Sequence, residues 1–185
     1  MKPVERSEIL DYVTYNEQRD EIRRGVLEAK KHRRVIAGDV LTFLFENRET
    51  VRYQVQEMMR TEQIVKEADI LHELETYNEL LGAQGELGCS LLIGLPDEAT
   101  RTQKLREWIG LPEHLYAELE DGSKVRPSFD PRQVGTDRLS SVQYLKFAVG
   151  PKAPVAVGAD HPALDVRTKL TDAQRDALQA DLDTP

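Results

Sequence analysis

Cysteine is nearly absent: Cys89 is the only one among 185 residues. One chain therefore has no means of closing an intramolecular disulfide, nor of building a cysteine-based zinc or iron–sulfur site alone, and a reducing compartment fits. Long apolar runs are missing as well. The opening "MKPVERSEIL" carries no apolar signal core, and no stretch approaches the roughly 18 residues a membrane helix requires. The expectation is a cytoplasmic protein with no membrane association. Excess positive charge is also lacking. With a net charge of -8 and a pI near 5.1, a general nucleic-acid surface is excluded, because phosphate binding draws on surplus Lys and Arg. No Gly-rich phosphate loop follows a strand, no nucleophile elbow is present, and Cys-x-x-Cys cannot occur. Nucleotide hydrolysis, serine hydrolysis and thiol redox chemistry lose their usual sequence basis.

What remains is enough for one ordinary domain spanning residues 1–185, with 39% hydrophobic and 31% charged residues. After a short helical turn at Ser7, apolar positions Tyr15, Ile22, Val26 and Ala29 recur in a thin helical stripe from about Tyr15 to Arg33. Within it "RRGVLEAKKHRR" is locally basic, either a solvated helix face with cations at its C-terminal turn or a surface for an anionic partner. "VIAGDVLTFLF" reads as strand, turn, strand. Asn47 caps a helix from Arg48 to about Thr61, and a further helix runs from Val65 to Leu81 before Gly82. "ELGCSLLIGL" is a strand, and Asp97 caps a helix through Trp108. Asp121-Gly122 turns a hairpin, "SVQYLKFAV" and "PVAVGA" are strands, and Thr171 with Gln174 forms a capping box on a last helix. Helices early and strands late give an α+β class: a mainly antiparallel sheet, built largely by the C-terminal half, against N-terminal helices and a C-terminal helix.

The densest polar stretch is "FENRETVRYQVQEMMRTE", Phe45 to Glu62. On its helix, Gln54 and Glu57 stand three apart, with Arg60 one turn on; on the following helix, His72 and Glu75 repeat that spacing. If the two helices pair antiparallel, Glu57, Glu62, His72 and Glu75 converge, a ligand set for iron or another divalent metal. The competing reading is structural, a salt-bridged seam of Arg48, Glu57, Arg60, Glu62 and His72. Glu46, Arg48, Gln54 and Arg60 would equally serve as a docking surface. Tyr77 and Asn78, near a helix end, and His161, just after a strand, outline a pocket between sheet and helices for a small molecule. Cys89, in an apolar strand, is best explained as a small buried hydrophobe, and His32 and His114 as surface residues.

The segments "FENRETVRYQVQEMMRTE", "HELETYNELLG", "GELGCSLLI", "LREWIGLPEHLY" and "DRLSSVQYLKF" together resemble a family of bacterial proteins classed as a domain of unknown function. The likeness covers nearly the whole chain and carries no assigned catalytic residues. It implies a context: genes of that family tend to neighbour those of rubrerythrin-like proteins and of an iron–sulfur protein similar to a heterodisulfide reductase subunit. The expectation is an accessory or partner-binding protein of a redox or peroxide-defence system with iron-containing partners. The alternative is a non-haem metal-binding protein or oxidoreductase using the Glu/His set. A homo-oligomer fits either.

Overall fold

A computed structural model describes residues 1–131 and 135–184. The chain opens with a single 3-10 turn, Arg6–Glu8, and then enters helix α1, Tyr12–Lys31. α1 starts three residues before the predicted point because the Asp11 side chain accepts hydrogen bonds from the amides of Val13 and Thr14, which would otherwise lack partners. Only Tyr15 and Val26 are buried along it, the thin stripe expected from its spacing. Strands β1, Arg34–Ala37, and β2, Leu41–Phe45, follow as predicted. Helix α2, Arg48–Thr61, begins at Asn47, whose side chain and that of Thr50 cap each other's backbone amides. Helix α3, Glu67–Asn78, is shorter at both ends than its pattern suggested: Lys66 gives no side-chain cap, and Leu80 and Leu81 close the end as turns onto Tyr77 and Asn78.

β3 spans Leu87–Ile93; α4, Glu98–Glu107, is capped by Asp97; α5 is the short Leu111–His114. β4, Leu115–Glu118, and β5, Lys124–Val125, flank the Asp121-Gly122 turn. β6, Val142–Phe147, β7, Ala156–His161, and β8, Leu164–Lys169, lead to α6, Asp172–Asp183, opened by the Thr171/Gln174 capping box. β8 has no counterpart in the sequence expectations. It is an edge strand whose alternating half-buried and exposed residues carry charge on the outer side. His161 is the last residue of β7 and pairs with Leu164, so it stands inside the strand end and not beyond it.

The fold is α+β; among the described residues all strand pairing is antiparallel, and the strands divide into two four-stranded sheets, ordered β1-β2-β3-β6 and β5-β4-β7-β8. Their inner faces make one core. Val35, Phe43, Leu91 and Leu145 of the first sheet meet Leu115, Ala117, Val157 and Ala159 of the second, with Leu105 and Trp108 near the end of α4 and Leu178 of α6 sealing the rims. The outer face of the first sheet is defined by register. One row across all four strands is Ile36, Thr42, Leu92 and Val142; the next is Arg34, Leu44, Ser90 and Tyr144. A second apolar cluster joins Val51, Val55 and Met59 of α2 to Ile70 and Leu74 of α3 and to Val4 and Ile9 of the N-terminal segment.

Candidate functional site

Arg48, Gln56, Glu57 and Arg60 of α2 look toward α1 and the N-terminal segment, whereas Gln54 meets Tyr77 of α3. Val51, Val55 and Met59 recur at helical spacing on the face turned to α3, so the residues opposite them face the other way. Glu57 accepts hydrogen bonds from the Tyr15 hydroxyl at 2.6 Å and from Arg19 Nε and Nη2 at 2.7 and 2.8 Å. Arg60 donates to Asn16 at 3.0 Å. Arg48 forks onto the Glu8 carboxylate at 2.7 and 2.8 Å and also donates to the carbonyls of Lys2 and Pro3. The Gln56 amide exchanges hydrogen bonds with the Leu10 backbone in both directions. Glu46, buried beneath α2, accepts from Thr50 and Ser90. A salt-bridged seam exists, but its second side is α1 instead of α3.

The structure does not bring Glu57, Glu62, His72 and Glu75 together. Glu57 is committed to Arg19 and Tyr15; Glu62 is the exposed C-cap of α2; His72 and Glu75 are exposed on α3. Among the described residues, no group of three or more His, Cys, Asp or Glu side chains is placed to hold a metal ion. Helical spacing carries no information about which neighbour a face meets.

The Arg19 guanidinium draws the Glu57 carboxyl down to about 2, with burial opposing and the Tyr15 hydroxyl assisting. A carboxyl depressed in the folded state contributes stability at pH values above its unfolded value near 4.5, and that contribution is lost as pH falls from there toward 2. Glu57→Gln is therefore expected to cost about 1–2 kcal/mol at neutral pH, the range for a charge-assisted hydrogen-bonded pair with partial solvent screening. The variant and the parent chain should converge as pH drops below 4. Urea titrations across pH 2–7 measure this, and a constant difference over the whole range contradicts it.

Two other predicted residues have separate surroundings. Asn78 clasps the backbone of Val4, accepting from its amide at 2.8 Å and donating to its carbonyl at 3.0 Å, so it serves the N-terminal segment and not a strand. His161 lies on the far sheet, its ring edge-to-face with His114 at 5.1 Å, beside Asp160. Asp160 binds Arg126 at 2.7 and 2.9 Å and Lys124 at 3.0 Å, which hold its carboxyl well below the usual range. Lys124 also covers the Tyr116 ring at 4.2 Å. This charged cap of the second sheet has no signal in the sequence beyond the hairpin that sets Lys124 opposite Glu118. Cys89 is buried, and burial raises its thiol well above the ordinary value.

A concavity of about 410 Å³ opens where the end of α3 meets the edge of the first sheet. Tyr77 and Leu80 form one wall, Tyr144 and Lys146 of β6 another, and Ser128 and Phe129 a third. The last wall is held because Ser128 and Lys146 exchange both backbone hydrogen bonds, at 2.8 and 2.9 Å, along the open edge of β6. Burial raises the Tyr77 phenol, and hydrogen bonding with Gln54 pulls the other way. Of the predicted pocket residues only Tyr77 lines this cleft. Tyr144 and Lys146 were legible as same-face positions of an alternating strand, but only the fold shows that α3 ends above them.

No curated protein matches the chain. The crystal structure of a novel protein of unknown function from Burkholderia pseudomallei K96243, at 27% sequence identity, superposes with a TM-score of 0.90 over 98% of this chain and 100% of that one. A family model described as protein of unknown function (DUF3501) matches residues 3–182. The chain thus belongs to the DUF3501 family of proteins of unknown function.

Proposed function

We propose that the chain is a cytoplasmic accessory protein that docks an iron-containing partner of a redox or peroxide-defence system, the iron residing in the partner. The supporting observation is the uncovered row on the first sheet. Ile36 is 57% exposed and Leu92 36% exposed, with Thr42 and Val142 half-buried beside them. Exposed aliphatic side chains aligned across a sheet, with one threonine between them, are a feature of interaction surfaces. Arg34 shares the outer face of β1 with Ile36 and is exposed, and the exposed Lys31 ends the helix that leads into the strand. In a protein of net charge -8, a cation beside these apolar side chains suits an acidic partner. The resemblance in gene context noted above names the class: a rubrerythrin-like protein or an iron–sulfur protein.

The test is sedimentation of the purified chain with each of these two partners from the same bacterium. A complex with one of them is expected, weakened about tenfold when salt is raised from about 0.05 to 0.5 M, as for exposed charges. It should be lost in the Ile36→Glu/Leu92→Glu double variant. Absence of a complex with both partners, or a complex indifferent to the double substitution, overturns the proposal.

A further inference from the structure

We infer that the cleft between the end of α3 and the β6 edge binds a small organic monoanion: an apolar or aromatic body carrying one carboxylate. This goes beyond the docking role, uses a different part of the first sheet and stands without it. Three features of the cleft point the same way. Its volume, about 410 Å³, falls in the range of small-molecule sites, which are concave and mainly apolar with a few placed polar groups. Three of its walls present aromatic rings, Tyr77, Phe129 and Tyr144, with Leu80 and Leu145 completing the apolar lining. A ring or branched acyl body fits such surroundings, where stacked or edge-on contacts add to the area buried.

The third feature sets the charge. Lys146 lines the cleft half-buried and, among the described residues, forms no ion pair. Its neighbour across the strand pair is Gly88, which has no side chain to screen it. A lysine ammonium outside any ion pair is stabilised by an anion that enters beside it. The Ser128 hydroxyl is a second donor at the same end, because Ser128 and Lys146 are bridge partners. Glu79 and Asp130 also line the cleft, and Asp130 is already engaged in contacts of its own. Glu79 is exposed to solvent, and the two carboxylates oppose a dianion twice as strongly as a monoanion, so a single carboxylate placed at the Lys146 end is the anion best tolerated.

The probe is 4-phenylbutyrate, with 4-phenylbutan-1-ol as the uncharged molecule of the same body, both titrated by calorimetry into the whole chain. The acid is expected to bind at or below about 1 mM and at least about tenfold tighter than the alcohol. In Lys146→Gln the two should bind within about twofold of each other, and Lys146→Arg should restore the preference. Thermal melts verify that both variants are folded, and the acid-against-alcohol comparison on the unmodified chain needs no variant. Equal binding of acid and alcohol, a preference that survives in folded Lys146→Gln, or no heat from the acid at about 10 mM each overturns the assignment.

Discussion

Asp181→Ala is expected to destabilise the chain by about 3–5 kcal/mol, the cost of removing one partner from a buried ion pair. Asp181 projects from α6 into the junction of α1 and β1. Arg33 Nε and Nη2 donate to its two oxygens at 2.7 and 2.8 Å, and the Asn47 amide donates to one of them at 3.3 Å. The side chains are only 13% and 8% exposed, so water replaces little of what is lost. Truncation strands the Arg33 guanidinium, whose remaining hydrogen bond is the one from Nη1 to the Ala29 carbonyl. For a domain of this size the melting temperature should fall by roughly 6–20 °C. The cost arises mainly from the orphaned charge, so an Arg33→Met/Asp181→Leu double variant should recover most of the stability. Thermal and urea unfolding of the three proteins decide it; a loss under about 0.5 kcal/mol for Asp181→Ala would show that the pair contributes nothing.

Gly88→Ala is the second large effect, expected to cost about 3 kcal/mol, at the upper end for forcing a methyl group into packed surroundings. Gly88 lies on the outer face of β3, and a Cβ there would overlap the backbone carbonyl of Leu80. The obstacle is main chain, so no side-chain rotation relieves it. The turn after α3 must lift off the sheet, taking Leu80 and Tyr77 with it. The cleft should therefore lose its wall, and 4-phenylbutyrate should bind at least about tenfold more weakly. Gly25 supplies the contrast. It is exposed on α1, and a methyl added there would meet only the Glu49 carboxylate, at 3.8 Å. Gly25→Ala should be neutral or stabilising by up to about 1 kcal/mol. Unfolding and titration of both variants measure the difference, and a Gly88→Ala protein as stable as its parent would contradict the close approach.

These two residues also mark where sequence reasoning stopped. Local chemistry was legible. Asn47 and Asp97 before their helices, the Asp121-Gly122 turn and the Thr171/Gln174 box act within a few residues of themselves, and each element they bound appears where expected. Non-local pairing was not. The Arg33 and Asp181 partners are 148 positions apart, and nothing in either neighbourhood names the other. The same limit sent Glu57 toward α3, whereas Tyr15 and Arg19 of α1 are what it meets. β8 escaped notice because an edge strand with Asp165, Arg167 and Lys169 on one side shows alternation without the apolar weight that marks a strand. The cleft was half visible, through Tyr77, since its other walls come from a strand and a bridging segment some 50 to 70 residues away.

The sealing of Cys89 has a practical corollary. With its thiol enclosed between the sheets and its deprotonation suppressed, the sulfur is hidden from alkylating agents and peroxides so long as the sandwich stays shut. A lone thiol in that position is a built-in clock: the pace at which a reagent tags it records how often the whole interior opens, with no engineered label.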